Sequence, residues 1–193
     1  MLATIHEYGY AEASVGEFVR RAGMTRTEFD ARFSGKREVT ALILEAHLDR
    51  FQERVGRAYA IADDWPDNLR AAAYETARCI LENPDATWFL MVGVLEVDDM
   101  LRARRDQFFV WGAELIDGGR AAAPDPAAIP DSASLLAIGA IVETIRRRRA
   151  AGVEHDVARN LPKFMYTAVR PYLGEEAARA ELTIELPPDL RSS

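Results

Sequence analysis

Cysteine is nearly absent from this sequence, and so are the long apolar segments of membrane proteins. Cys79 is the one cysteine among 193 residues, so no internal disulfide can form and a disulfide-stapled secreted scaffold is excluded. The longest apolar run, residues 88–95, is far shorter than the roughly 20 residues that span a bilayer. The N-terminus has no basic segment followed by an apolar stretch, which a signal peptide would show. We therefore expect a cytoplasmic protein with no membrane partner.

Catalytic and metal-binding patterns are also missing from the sequence. The three histidines, His6, His47 and His155, are scattered, and none has a partner at zinc-ligand spacing. There is no glycine-rich phosphate loop and no Gly-x-Ser-x-Gly motif. The acidic group at residues 96–99 is explained more simply as a solvated helix start than as an acid–base pair. We expect no enzyme, no metal and no cofactor.

Composition favours a helical protein. Hydrophobic residues make up 49% of the chain and charged residues 28%, which is too apolar for a disordered polymer. No segment alternates apolar and polar residues as a strand does, so the sequence predicts an all-α fold. The net charge of −7 argues against a non-specific polyanion binder. Residues 1–57 are nevertheless neutral, with nine Lys/Arg and nine Asp/Glu, so the N-terminal part is less acidic than the remainder.

Two short helices near the N-terminus carry clear start and stop signals. Ser14 and Glu17 have the spacing of a capping box, in which each side chain satisfies a free backbone N–H. Thr25 and Glu28 repeat that spacing and open a further helix. Gly23 lies between the two pairs and supplies the left-handed residue that ends the first of these helices.

Further along the chain, the pattern divides a small N-terminal head from a larger helical body. We place the head at residues 1–46 and the body at residues 47–193. The pattern predicts a first helix at 2–7, a long fourth helix to about residue 62, an irregular stretch at 118–130, helices at 132–151 and 157–172, and a frayed tail from residue 187.

Two capped helices joined by a glycine turn are typical of a helix-turn-helix, whose second helix enters the DNA major groove. Thr27 and Ala31 lie on the face of that helix opposite its two phenylalanines. Arg26 stands at its N-terminal end and is well suited to a guanine edge, while Lys36 follows where a phosphate is favoured. The alternative is an ordinary pair of packed helices with no nucleic-acid role.

A series of short motifs runs through residues 5–45: Gly9-Tyr10, Ser14-Val15, Ala22-Gly23-Met24-Thr25, Phe29, Phe33 and Lys36-Arg37-Glu38. In order and spacing, this series resembles the signature of the TetR family of transcriptional regulators. The resemblance implies a DNA-binding head on a helical body that dimerises and binds a small molecule. The residues it places on bases are Arg26, Thr27, Glu28 and Ala31, and those on the phosphate backbone are Ser14, Arg32 and Lys36.

One position departs from the family pattern in a way that bears on affinity. The family usually has tyrosine where this chain has Asp30, and a carboxylate there would repel phosphate. We expect a repressor that binds an operator in double-stranded DNA and is released by a small, apolar effector. The alternative is a small-molecule-binding helical dimer whose DNA binding is weakened or lost.

Bulky apolar residues are concentrated between positions 65 and 111. They could line an effector pocket or simply fill the core. The candidate pocket residues are Trp65, Tyr74, Trp88, Phe89, Met91, Phe108 and Trp111. Two later helices have apolar stripes that, by the resemblance, pair with their copies in a homodimer, although internal packing is the alternative. The candidate interface residues are Leu135, Ile138, Val142, Ile145, Leu161 and Met165.

Overall fold

A computed structural model describes residues 1–152 and 157–191; His155, one of the scattered histidines, lies outside the described residues. Within them the chain is helical and contains no strand, which confirms the all-α class. The α-helices of this part of the chain are α1 (Leu2–Glu12), α2 (Val15–Arg21), α3 (Arg26–Asp30), α4 (Lys36–Ala58), α5 (Trp65–Glu82), α6 (Pro84–Met91), α7 (Asp99–Asp117), α8 (Ala133–Ala150), α9 (Val157–Glu181) and α10 (Pro188–Arg191). Short 3₁₀ helices cover Gly93–Glu96, Gly118–Ala122 and Pro126–Ala128.

The chain divides into two compact units. The first comprises Met1–Arg50 and Asn83–Asp106, and the second comprises Phe51–Glu82 and Gln107–Ser193. The boundary after Arg50 lies close to the one that the sequence suggests after residue 46. No local pattern indicated that Asn83–Asp106 belongs with the N-terminal residues, because that grouping depends on contacts between distant segments.

In the first unit, α1 packs on α6 and on the turn Gly93–Glu96. Phe89 of α6 is fully buried. The His6 ring stacks on Trp88 with 4.8 Å between ring centroids, and its Nδ1 lies 2.7 Å from a carboxylate oxygen of Asp85. These contacts attach the second segment of this unit to its N-terminal helix.

The second unit is organised around Trp65. Its ring packs on Tyr172 with 5.2 Å between centroids, and its indole N–H donates to the Leu115 carbonyl at 3.1 Å. Gly119 lies so close that a Cβ there would stand 2.5 Å from the Trp65 ring. Only glycine therefore fits at the point where α7 gives way to the irregular stretch that follows.

The tail differs from its prediction. The sequence predicts a frayed tail from residue 187 onwards, yet within the described part of that tail Pro188–Arg191 is helical and Leu190 is 2% exposed. Asp189 accepts a hydrogen bond of 2.7 Å from Arg78 on α5. The prediction was wrong because one buried leucine and one distant arginine hold this segment, and neither is visible in local sequence.

Candidate nucleic-acid interface

Helix α2 begins at the predicted cap. The Ser14 hydroxyl accepts from the Glu17 backbone N–H at 3.0 Å. The Glu17 carboxylate does not accept from the Ser14 backbone N–H, so only half of the predicted capping box forms. The carboxylate instead accepts from Arg20 and Arg21, whose guanidinium groups lower its pKa to about 2. Ser14 remains exposed beside this charged group, so its side chain is accessible from outside the unit.

A tight turn separates α2 from α3. Gly23 has a φ of 65°, the left-handed conformation that glycine adopts without strain. The Met24 N–H donates to the Val19 carbonyl at 3.0 Å, which satisfies one of the free carbonyls at the end of α2. This ending follows the pattern that the sequence indicates.

Helix α3 opens with a complete capping box. The Glu28 N–H donates to the Thr25 hydroxyl at 3.2 Å, and the Glu28 carboxylate accepts from the Thr25 N–H at 2.7 Å. The hydrogen bonds from Thr25 hold the pKa of Glu28 below its usual range. Glu28, predicted to face bases, is therefore engaged in capping, although it remains exposed.

Phe29 fixes which side of α3 faces inward. It is fully buried, packs edge-on to Phe18 with 5.8 Å between centroids, and lies 5.2 Å from Phe33. Removing this ring from water contributes about 2 kcal/mol. The remaining side chains of the helix are exposed as a consequence, Arg26 and Thr27 among them, and so are Ala31 and Arg32 directly after it.

The exposed face of α3 carries an acidic side chain, Asp30, as well as basic ones. Arg26 donates through Nε to both carboxylate oxygens of Asp30, at 2.9 and 2.8 Å, and this contact raises the pKa of the guanidinium. The Arg32 backbone N–H donates to the Phe29 carbonyl at 3.0 Å, but its side chain has no hydrogen bond or ion pair within residues 1–152 and 157–191. Its charge acts on Glu28 at longer range, where it adds to the Thr25 hydrogen bonds that lower the pKa of that carboxyl. The Arg26 guanidinium is therefore held by Asp30, whereas the Arg32 guanidinium has no direct carboxylate partner in this part of the chain.

Lys36 is placed differently from its predicted role. Its ammonium donates to the carbonyls of Tyr10 and Ala11, at 2.5 and 3.1 Å, and lies 4.4 Å from the centre of the Tyr10 ring. Two of its three donors are thus used to close the end of α1. Sequence reasoning missed this contact, because it joins residues far apart in the chain.

The acidic group at residues 96–99 also finds a structural place. Asp98 accepts from the Leu101 N–H at 2.9 Å and so caps α7, as expected of a helix start. Its second oxygen accepts from Arg37 at 2.5 Å. Backbone and guanidinium contacts together keep the pKa of Asp98 low.

The seven candidate pocket residues do not fall in one unit. Trp88, Phe89 and Met91 belong to the first, while Trp65, Tyr74, Phe108 and Trp111 belong to the second. Phe89, Met91, Trp65 and Phe108 are buried, and Phe108 contacts the rings of Phe51, Phe109 and Trp111. These environments match the core-filling alternative for those four residues.

The candidate interface residues differ in how far they are exposed. Leu135 is 53% exposed, whereas Ile138 and Val142 are half-buried. Ile145, Leu161 and Met165 are buried within a single chain, so internal packing already accounts for them. The adjacent Leu136, which the prediction omitted, is 69% exposed, and with Leu135 it forms the apolar surface at the start of α8.

A scan against protein-family models finds no match, and searches of curated proteins and of solved structures find none either. In the part of the chain that the structure describes, none of the helices combines the length and the apolar character needed to cross a bilayer.

Proposed function

We propose that this chain is a DNA-binding transcriptional regulator resembling the TetR family, in which α2 and α3 form the helix-turn-helix and α3 is the recognition helix. One observation carries the proposal. Within α3 Phe29 is fully buried, while Arg26 and Thr27, together with Ala31 directly after the helix, are exposed. A short, doubly anchored helix with a polar outer face is the shape that a major groove admits.

The proposed DNA contacts are of two kinds, those to base edges and those to phosphates. Arg26, Thr27 and Ala31 read base edges, because their side chains stand on the outer face of α3. Ser14 and Arg32 bind phosphates, one by its exposed hydroxyl and the other by its exposed guanidinium. Lys36 supports them indirectly, since its ammonium fixes α1 beside the start of α4.

The functional unit in this proposal is a homodimer that binds a two-fold operator. Its two recognition helices meet half-sites about 34 Å apart, which is one helical turn. A small, apolar effector favours a state in which that spacing is lost, so repression ends by a shift of population. The exposed leucines of α8 are the surface that we assign to dimerisation.

The experiment is selection of bound duplexes from random DNA, followed by affinity measurements at several salt concentrations. We expect a defined recognition sequence and an affinity that falls steeply as salt rises. Arg32→Ala should weaken binding to all sequences and reduce the salt slope by about 1, whereas Arg26→Ala should relax the choice of base. Arg57→Ala is the matched control, because Arg57 is an exposed arginine on α4 outside the proposed interface.

Failure to select any sequence would contradict the proposal. It would favour the second candidate, a small-molecule-binding helical dimer with little affinity for DNA. That candidate draws on the same structure: Asp30 engages Arg26, and Lys36 turns toward α1, which leaves few cations for phosphate. Binding that is weak and insensitive to sequence in the wild-type protein would be its signature.

A further inference from the structure

Asp30 and Arg26 form an unusual pair for the outer face of a recognition helix. The carboxylate accepts from Nε alone, with both of its oxygens within 2.9 Å of that nitrogen. A guanidinium has five N–H donors, and four of them are on the two terminal nitrogens. The contact thus uses the inner donor of Arg26 and leaves the terminal pair available.

A second contact limits how Arg26 can turn. Its guanidinium carbon lies 5.9 Å from the centre of the Phe29 ring, and that ring is held in the core with no exposed surface. Arg26 itself is 62% exposed and Asp30 is 52% exposed. The guanidinium is therefore oriented from one edge by Asp30 and from beneath by Phe29, while its outer edge faces solvent.

We propose that Asp30 is a specificity-determining positioning residue, which holds Arg26 by Nε so that its two terminal nitrogens meet the O6 and N7 of a guanine. The inference depends on the proposed function. Guanine offers two acceptors side by side in the major groove, and a bidentate arginine is the contact that distinguishes it from other bases. An oriented guanidinium makes that contact with less loss of side-chain freedom.

The same carboxylate acts against other modes of binding. Its negative charge repels phosphate, so it weakens contacts in which Arg26 would bind the DNA backbone instead of a base edge. Specificity is a difference between affinities, and a repulsive group that penalises the wrong partner increases it. Asp30 would therefore lower affinity for random DNA while raising the ratio between correct and incorrect sites.

The test compares three variants on two duplexes, the selected site and the same site with its Arg26-dependent guanine replaced. Asp30→Ala should reduce the ratio of the two affinities about 10-fold, within the range of one bidentate contact. Asp30→Asn keeps an acceptor for Nε and loses the charge, so it should retain most of the ratio while binding both duplexes more tightly. Glu53→Ala is the matched control, because Glu53 pairs with Arg57 four residues on along α4.

The outcomes separate this inference from the proposed function. If both Asp30→Ala and Asp30→Asn raise the affinity for the two duplexes by the same factor, Asp30 only repels DNA. The inference would then fail, while the proposed function as a regulator would stand. A wild-type protein that selects no sequence would overturn both. Circular dichroism of each variant should match the wild type, since the pair lies on the surface.

Discussion

At the scale of single residues, the role of Lys36 depends on what surrounds its ammonium. It is one of two lysines in the chain, and it stands at the start of α4, where the sequence predicts a phosphate contact. Its donors instead satisfy the carbonyls of Tyr10 and Ala11. A hydrogen bond from a charged donor stabilises a fold more than a neutral one does.

Lys36→Met should therefore destabilise the protein by about 1 kcal/mol, because two backbone acceptors lose their charged donor. The measurement is the midpoint of urea unfolding, compared with Lys163→Met, which changes an exposed lysine of α9. The control should stay within about 0.5 kcal/mol of the wild type. Equal midpoints for the two variants would show that the contact contributes nothing to stability.

Tyr172 gives a prediction about alkaline pH. Burial and a hydrogen bond from its hydroxyl to Asp117 raise its pKa to about 12, from an ordinary value near 10. The phenol is protonated in both states below pH 10. Between pH 10 and 12 the unfolded chain loses this proton before the folded chain does, so the stability that Tyr172 contributes falls as pH rises.

Tyr172→Phe should flatten the decline of stability over that interval. The measurement is the free energy of unfolding at a series of pH values from 8 to 12, for the variant and the wild type. The two curves should run parallel near pH 8 and converge at the alkaline end. Curves that stay parallel throughout would show that the phenol does not titrate differently in the folded protein.

At the scale of elements, α3 is too short to be stable by itself. A helix of five residues does not form alone in water, because nucleation costs more than so few hydrogen bonds return. Its existence depends on the capping box at Thr25 and on the buried ring of Phe29. The orientation of the proposed recognition surface follows from these two contacts.

Thr25→Ala should cost about 1 kcal/mol of local stability, since it removes the side-chain oxygen that accepts from Glu28. Native-state hydrogen exchange of the Phe29 amide, which donates to the Thr25 carbonyl, reports that local opening. Thr27→Ala is the control on the same helix, because Thr27 is exposed and lies outside the capping contacts. Similar exchange rates in the two variants would contradict the capping role.

Local signals explain why these helices could be predicted from the sequence. Caps at Ser14 and Thr25, a left-handed Gly23 and an apolar Phe29 all act within a few residues, so spacing alone reveals them. The hydrogen bonds of Lys36 and the grouping of Asn83–Asp106 with the N-terminal residues depend on tertiary packing. No periodicity encodes such contacts.

The roles of charged side chains were also hard to predict. Asp30 was expected only to repel DNA, because the sequence cannot show that its carboxylate receives Nε of Arg26. Helical periodicity placed Ile145 and Leu161 on apolar stripes, and the family resemblance assigned those stripes to an interface, yet both residues are buried within the chain. Periodicity identifies an apolar face but not whether that face packs inside the chain or against a copy. The sequence therefore predicts the fold class more readily than whether an apolar helix face packs inside the chain or against a second copy.

At the scale of the whole molecule, net charge limits the ways in which the proposed DNA binding can work. The net charge is −7, while residues 1–57 are neutral. General attraction to a polyanion is therefore weak, and under the proposed function the affinity has to come from specific contacts made twice on a two-fold site. The proposal thus predicts that tight binding needs a dimer, because a single copy would make only half of those contacts.

Replacing Leu135 and Leu136 together with glutamate should separate the copies, because charge at an apolar contact must be desolvated for association. Sedimentation velocity should change from a species of twice 21.5 kDa to one of 21.5 kDa. Leu182→Glu is the control, since Leu182 is an exposed leucine outside α8. The double variant should also lose binding to the full operator and keep only weak binding to a half-site. A variant that remains dimeric would remove α8 from the interface, whereas a monomeric wild type with unchanged operator affinity would contradict the two-fold mechanism itself.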